Sequence, residues 1–214
     1  MSVSMEGRVA YISGGSCMMA RGTATAFLEA GGKVVLGDMK QELLLSGIGG
    51  QGVITLGEAL CDAAIKAGFN VTFVPFYGQE KRGGRTMCNI VVSDSVESPI
   101  ISEANIMLIF DERSLKDYQS LMAEDGTLVL NSSMIDLEPT CKYGSLKKVP
   151  FYDIAQDLGN SKTANIVAMG YIAKLLPMIP YEYFQEQVEK AFAKKPKLIP
   201  INLEALKKGY DLNA

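Results

Sequence analysis

Two glycine-rich stretches hold the residues best placed to do chemistry in this chain. Gly47-Ile48-Gly49-Gly50-Gln51-Gly52 follows the apolar run Leu43-Leu44-Leu45-Ser46, and Tyr77-Gly78-Gln79-Glu80-Lys81-Arg82-Gly83-Gly84-Arg85-Thr86 comes further along. The first reads as strand, turn and helix, so backbone N–H groups and the positive end of a helix dipole would converge on an anion. Gly47, Gly49, Gly50, Gln51 and Gly52 are therefore candidate binding residues. The second stretch sets Lys81, Arg82 and Arg85 beside Gly83 and Gly84 and ahead of Thr86. Glycines let a main chain approach a ligand closely, and the cations would neutralise phosphate or carboxylate. Together the two predict a cleft for an anionic ligand, with Arg82 its strongest side-chain candidate.

Composition narrows the chemistry. The 214 residues contain no histidine, which removes Ser-His-Asp triads, Cys-His dyads and imidazole metal sites. The four cysteines, Cys17, Cys61, Cys88 and Cys141, never fall at a compact spacing, so a zinc site or iron–sulfur cluster built by this chain alone is not expected. They read as reduced, mostly buried thiols. A net charge of -3 gives no electrostatic case for nucleic acid. The basic run Lys194-Lys195-Lys197 reads as the solvated end of a helix. The longest apolar stretch, Ala164 to Ile179, is interrupted by Asn165, Lys174 and Pro177, so no membrane span is expected. With no basic-then-apolar leader at the N-terminus, the expected location is cytoplasmic.

The elements that must position the glycines follow from periodicity and breakers. From Arg8 the chain reads strand (Val9 to Ser13), Gly14-Gly15, helix (about Cys17 to Ala30), Gly31-Gly32 and strand (Lys33 to Gly37), a βαβ outline. A second outline starts at Met39: strand to Ser46, the glycine turn, a helix from Val53 to Ala67 and a strand from Val71 to Phe76. Further strands are expected at Met87 to Val92, Asn105 to Phe110, Gly126 to Asn131 and Val149 to Tyr152, with a helix from Ser114 to Ala123. Helices near Ile154 to Leu158, Thr163 to Leu176, Tyr181 to Ala193 and Ile201 to Lys208 complete the chain. The expected fold is a single three-layer α/β domain with a mostly parallel sheet, a helical C-terminal part and a short N-terminal βαβ-like extension. Asn131-Ser132-Ser133, at the C-terminal end of a strand, falls on the edge where open α/β sheets bind ligands. Asn131 and Ser132 are candidates there, as ligand contacts or as loop caps.

From Met39 onward the chain resembles the gamma subunit of the 2-oxoacid:ferredoxin oxidoreductases. The resemblance rests on Gly47 to Val53, Tyr77-Gly78 with Arg82-Gly83-Gly84, Ile90-Val91-Val92-Ser93-Asp94, Ser98-Pro99 and Asn131-Ser132-Ser133. It continues through Leu158-Gly159-Asn160 with Asn165, and Asn202-Leu203-Glu204-Ala205-Leu206 before Gly209. It implies oxidative decarboxylation of a 2-oxoacid, 2-oxoglutarate favoured, with coenzyme A accepting the acyl group and ferredoxin the electrons. It also implies alpha, beta and ferredoxin-like delta partner subunits, with thiamine diphosphate and the iron–sulfur clusters on those partners. This chain would then help to bind coenzyme A and close the active site, supply no catalytic residue and be inactive alone.

Residues 1–38 lie outside that pattern and resemble the opening βαβ of a short-chain dehydrogenase. Ser13 stands for the threonine of that family's turn and Gly14 survives, but Met18 and Ala20 occupy the later glycine positions, where side chains would obstruct a pyrophosphate. Two rival functions follow: a free-standing nucleotide-binding dehydrogenase, and a non-catalytic anion-binding module. Tyr77 and Lys81 have the dehydrogenases' Tyr-x-x-x-Lys spacing but follow the turn by too little chain. If the complex is the right context, Arg82→Ala lowers kcat/KM for coenzyme A or the 2-oxoacid about tenfold, on the order of 1.4 kcal/mol, with Tm nearly unchanged. Steady-state kinetics of the assembled variant check this, and wild-type values would make Arg82 a surface residue.

Overall fold

The computed structural model describes residues 4–13, 18–37, 39–78 and 83–213. The chain opens with β1 (Val9–Ser13), α1 (Met18–Glu29) and β2 (Lys33–Gly37), and the two strands pair in parallel as a sheet of their own.

Next comes β3 (Lys40–Ile48), in which Leu43, Leu44 and Leu45 have no exposed surface. Successive strand residues point to opposite faces, so three consecutive buried leucines require a sheet covered on both sides. The strand is followed by α2 (Val53–Lys66), β4 (Asn70–Tyr77), β5 (Arg85–Ser93), β6 (Ala104–Ile109), α3 (Glu112–Tyr118), β7 (Met122–Asn131) and β8 (Ser145–Val149). Four helices end the chain: α4 (Phe151–Asp157), α5 (Ala164–Leu175), α6 (Tyr181–Ala191) and α7 (Ile199–Asp211). The second sheet has six strands in the order β4-β5-β3-β6-β7-β8. Strands β3, β6, β7 and β8 pair in parallel, and β5 runs antiparallel between β3 and β4. The result is a mixed, mostly parallel three-layer α/β fold.

Alternation along the strands sorts the core into two layers. Leu43, Leu45, Cys88, Ile90, Ile106, Leu108 and Val129 face α2 and the C-terminal helices. Leu44, Val91, Met107, Ile109, Leu128 and Leu130 face α3 through Leu115, and Ile135 on the connection after β7. Asp111 caps α3: one carboxylate oxygen accepts from Ser114 N at 3.0 Å and the other from the Ser114 hydroxyl at 2.7 Å.

Two expected elements are displaced. The helix expected from Ser114 to Ala123 stops at Tyr118, and after a single 3₁₀ turn Met122 begins β7, because its backbone is claimed by Ala104 across the sheet. The strand expected at Val149 to Tyr152 is Ser145–Val149 instead, and Pro150 precedes the first residue of α4. Among the described residues no helix is long and apolar enough to cross a membrane.

Helix α5 is the hub of the C-terminal part, with nine residues from Ala164 to Ala173 buried. It meets α7 backbone to backbone: a methyl at Gly170 would run into the Leu206 carbonyl, and one at Gly209 into the Val167 carbonyl. Neither carbonyl can move without breaking its own helix. Gly170→Ala should therefore destabilise the chain by about 2–3 kcal/mol, read as a lower urea midpoint at unchanged slope. A wild-type midpoint would show that the two helices separate without penalty.

Candidate functional site

The C-terminal end of β3 carries the glycine turn, and the sheet order decides what surrounds it. Because β5 runs antiparallel beside β3, the connection from β4 returns to the same edge. Tyr77 pairs with Thr86, Thr86 pairs with Gly47, and the Gly78 N–H donates to the Arg85 carbonyl at 2.6 Å. The Gly49 N–H donates to the Gly84 carbonyl at 2.8 Å, tying the turn to the second glycine stretch. The two segments singled out by composition meet in space.

Within the turn the glycines have different roles. Gly52, the residue before α2, is left-handed at φ 76°, and a Cβ there would overlap the Asn165 side chain. Asn165 Nδ2 lies 3.5 Å from the Gly52 carbonyl, the outer limit for a hydrogen bond. At Gly47 a Cβ would overlap the Gln51 carboxamide and come within 2.9 Å of Val53. The space above Gly47 is where Gln51 folds back, and its Oε1 accepts from the Ile48 N–H at 2.6 Å. Gly49 is under no such constraint, since its nearest neighbours would be 3.5 Å or more from a Cβ.

The N-terminus of α2 has no side-chain cap. Its first-turn N–H groups are orphaned by helix geometry and face a cavity of about 420 Å³ lined by Gly49, Gly50, Gly52, Thr55, Tyr77 and Thr86, among others. This volume lies within the range of small-molecule pockets, and uncapped N–H groups at a 14-residue helix favour an anion. The donors are backbone amides and hydroxyls rather than ionised side chains.

The remaining sequence candidates are placed as follows. Gly83 and Gly84 stand at the start of β5 beside the turn, whereas Lys81 and Arg82 lie outside the described residues. Arg85 pairs through Nε with Asp117 of α3 at 3.0 Å. Asn131 is fully buried: its amide nitrogen donates to the Phe110 carbonyl at 3.2 Å and its oxygen accepts from the Phe151 N–H at 3.2 Å. Both ends thus join the β6 terminus to the start of α4, the capping one of its two expected roles. The Ser132 N–H donates to the Val149 carbonyl, and the Ser133 hydroxyl accepts from the Asp153 N–H.

Thr55 and Tyr152 of this region were not among the sequence candidates for binding. Tyr152, on the first turn of α4, lies against the Gln51 side chain, and burial raises its phenol above the ordinary value. Nothing local marks it, because the contact crosses the sheet edge. Among the described residues no three Asp, Glu, His or Cys side chains converge to hold a metal ion. Burial pushes the Cys61 thiol up to about 12 and Cys88 higher still, so both stay protonated and poor as ligands. Cys17 lies outside the described residues.

Comparison with known proteins adds identity to geometry. The ketoisovalerate oxidoreductase subunit VorA of Methanothermobacter marburgensis is 30% identical over 78% of this chain, but the chain spans only 35% of that relative's length. Other relatives are named for indolepyruvate, 2-oxoglutarate and pyruvate. A solved gamma subunit of a keto/oxoacid ferredoxin oxidoreductase from Geobacter sulfurreducens is 25% identical and covers 80% of this chain and 96% of its own, with a TM-score of 0.68. The 2-oxoglutarate:ferredoxin oxidoreductase of Magnetococcus marinus, solved with 2-oxoglutarate, coenzyme A and succinyl-CoA bound, shares the fold. Its TM-score is 0.73 at 22% identity, over 79% of this chain and 30% of that one. The family described as pyruvate ferredoxin/flavodoxin oxidoreductase matches residues 42–212, which include the glycine turn, the cavity and every strand of the six-stranded sheet except the start of β3, and the chain belongs to that family.

Proposed function

We propose that this chain is the gamma subunit of a complex that converts a 2-oxoacid and coenzyme A to an acyl-CoA, and that the glycine turn holds the diphosphate of coenzyme A. In the overall reaction the carboxylate carbon leaves as carbon dioxide, and the acyl carbon bonds to the coenzyme A sulfur. Two electrons pass to ferredoxin and the thiol proton is released. Thiamine diphosphate and the iron–sulfur clusters belong, in this reading, to alpha, beta and ferredoxin-like delta partners, where they supply the carbanion and electron-transfer chemistry.

The observation that carries the proposal is the uncapped start of α2 opening on the cavity beside Gly49, Gly50 and Gly52. A diphosphate placed there would accept from first-turn N–H groups along the positive end of the helix dipole. Thr86, Thr55 and Tyr77 line the same space and would orient the rest of the nucleotide. Lys81 and Arg82, on the same connection as Gly83 and Gly84, would add charge. We favour 2-oxoglutarate as the oxoacid, on the likeness in fold to an enzyme solved with it and on the relatives named for its synthesis.

Gly49 provides the test, because its backbone is not left-handed and its surroundings accept a Cβ, so a side chain there intrudes on the cavity without breaking the turn. In the complex purified with its partners, Gly49→Val should raise the apparent KM for coenzyme A about fivefold or more, roughly 1 kcal/mol, with Tm little changed. An unchanged KM in a complex of wild-type stability would mean that the turn does not hold coenzyme A.

A further inference from the structure

Sheet register lines up three residues beside the turn, one on each of three neighbouring strands. Gly47 of β3 pairs with Thr86 of β5, and Thr86 pairs with Tyr77 of β4. Residues paired directly across strands share a face, and Leu45, Cys88 and Phe73, at even spacings along the same strands, pack in the core layer that includes α2. The row therefore lies on the α2 side of the sheet, and Thr86 and Tyr77 both line the cavity at the start of that helix. Thr86 is only 8% exposed, yet among the described residues nothing hydrogen-bonds its hydroxyl. That oxygen lies 3.6 Å from where a Cβ on Gly49 would stand, so it is aimed into the space above the turn. A buried hydroxyl without a partner costs stability until something bonds it. Tyr77 is the opposite case: it is 68% exposed, with Ile48 and Ile54 beside it in the cavity lining. An open aromatic ring flanked by aliphatic side chains, next to an anion site, is a surface for a flat ring.

We propose that Tyr77 is the platform for the adenine of coenzyme A, so that the nucleotide runs across the strand ends from the start of α2, past the Thr86 hydroxyl, to the open ring. The inference rests on the reading of the turn as the coenzyme A diphosphate site, and it adds the direction of the ligand and the residue that meets its base. Strands about 4.8 Å apart put the Tyr77 backbone roughly 10 Å from that of Gly47, a span that a ribose and its base can fill. Thr86, between them, donates its hydroxyl to the diphosphate and gains the partner it lacks in the protein. Stacking accepts any base, so Tyr77 supplies affinity for the nucleotide end rather than a choice among bases.

In the complete complex, Tyr77→Ala should raise the KM for coenzyme A about tenfold, the loss expected for one base–aromatic stack. The KM for phosphopantetheine, which has the thiol but no adenine, should stay as it is, and Tyr77→Phe should keep wild-type values for both. A readout independent of turnover is the calorimetric Kd of ADP for the complex, which should weaken by the same factor in Tyr77→Ala. Thr86→Val keeps the shape of the side chain and removes the hydroxyl; it should raise the KM for coenzyme A about threefold or more without lowering Tm. A lower Tm would show that the hydroxyl is bonded within the protein and strike Thr86 from the path. Unchanged KM in Tyr77→Ala while Gly49→Val raises it would overturn the adenine platform and leave the diphosphate reading standing. Equal losses for coenzyme A and phosphopantetheine, or a complex that no longer assembles, would make Tyr77 a structural or subunit contact and overturn the platform as well. If neither Tyr77→Ala nor Gly49→Val alters KM, both readings fall.

Discussion

The site depends on the absence of a side chain at Gly47. A Cβ there would occupy the space into which Gln51 folds, and without that fold the Ile48 N–H at the end of β3 would lose its acceptor. The chain must then leave the strand, reverse and enter α2 within four residues, which Gly52 permits by its left-handed backbone. Asn165 of α5 closes over Gly52 from the helical layer, so the turn is gripped by the sheet on one side and by the C-terminal helices on the other. Because the capping position before α2 is filled by a glycine, the helix has no side-chain cap and its first amides remain for a ligand.

The antiparallel strand inside an otherwise parallel sheet gives that turn a partner segment. If β4 paired directly with β3 and β5 lay on its far side, Thr86 would not lie beside β3 and the second glycine stretch would not reach the turn. Instead β5 returns between them, and register alone brings Thr86 opposite Gly47 and Gly84 within reach of the Gly49 N–H. Two glycine stretches separated by a helix and a strand become the two walls of one cavity. The remaining parallel strands end at the same edge, which is why Asn131 can join β6 to α4 and place Tyr152 near the turn.

The central elements could be read from the sequence because their signals are local. Three leucines before a glycine turn, and a helix rich in alanine and leucine behind it, leave few alternatives, and β3 and α2 lie within two residues of where periodicity puts them. The misplaced elements depend on partners. Leu121-Met122-Ala123 looks like the end of an apolar helical stripe, yet Met122 pairs with Ala104 across an irregularity in β6 and starts a strand. Ser145-Leu146-Lys147-Lys148-Val149 is too polar to stand out as a strand, and is one because it pairs with Thr127 to Asn131 at the sheet edge. In the same way the glycines and Gln51 were legible as a turn. That Tyr152, far along the chain, comes to lie against Gln51 was not.

The donors described around the cavity share one property: none carries a charge that titrates near neutrality. Backbone amides and the side chains of Thr55 and Thr86 do not ionise there. Arg85, the described cation closest in sequence, is paired with Asp117. An anion held by such donors is recognised through fixed dipoles, whose strength depends on geometry rather than on pH or on the counter-charges of a mobile side chain. That makes the exact course of the backbone the variable on which recognition turns. Gln51, folded back on the end of β3, fixes that course at the point where the chain leaves the strand.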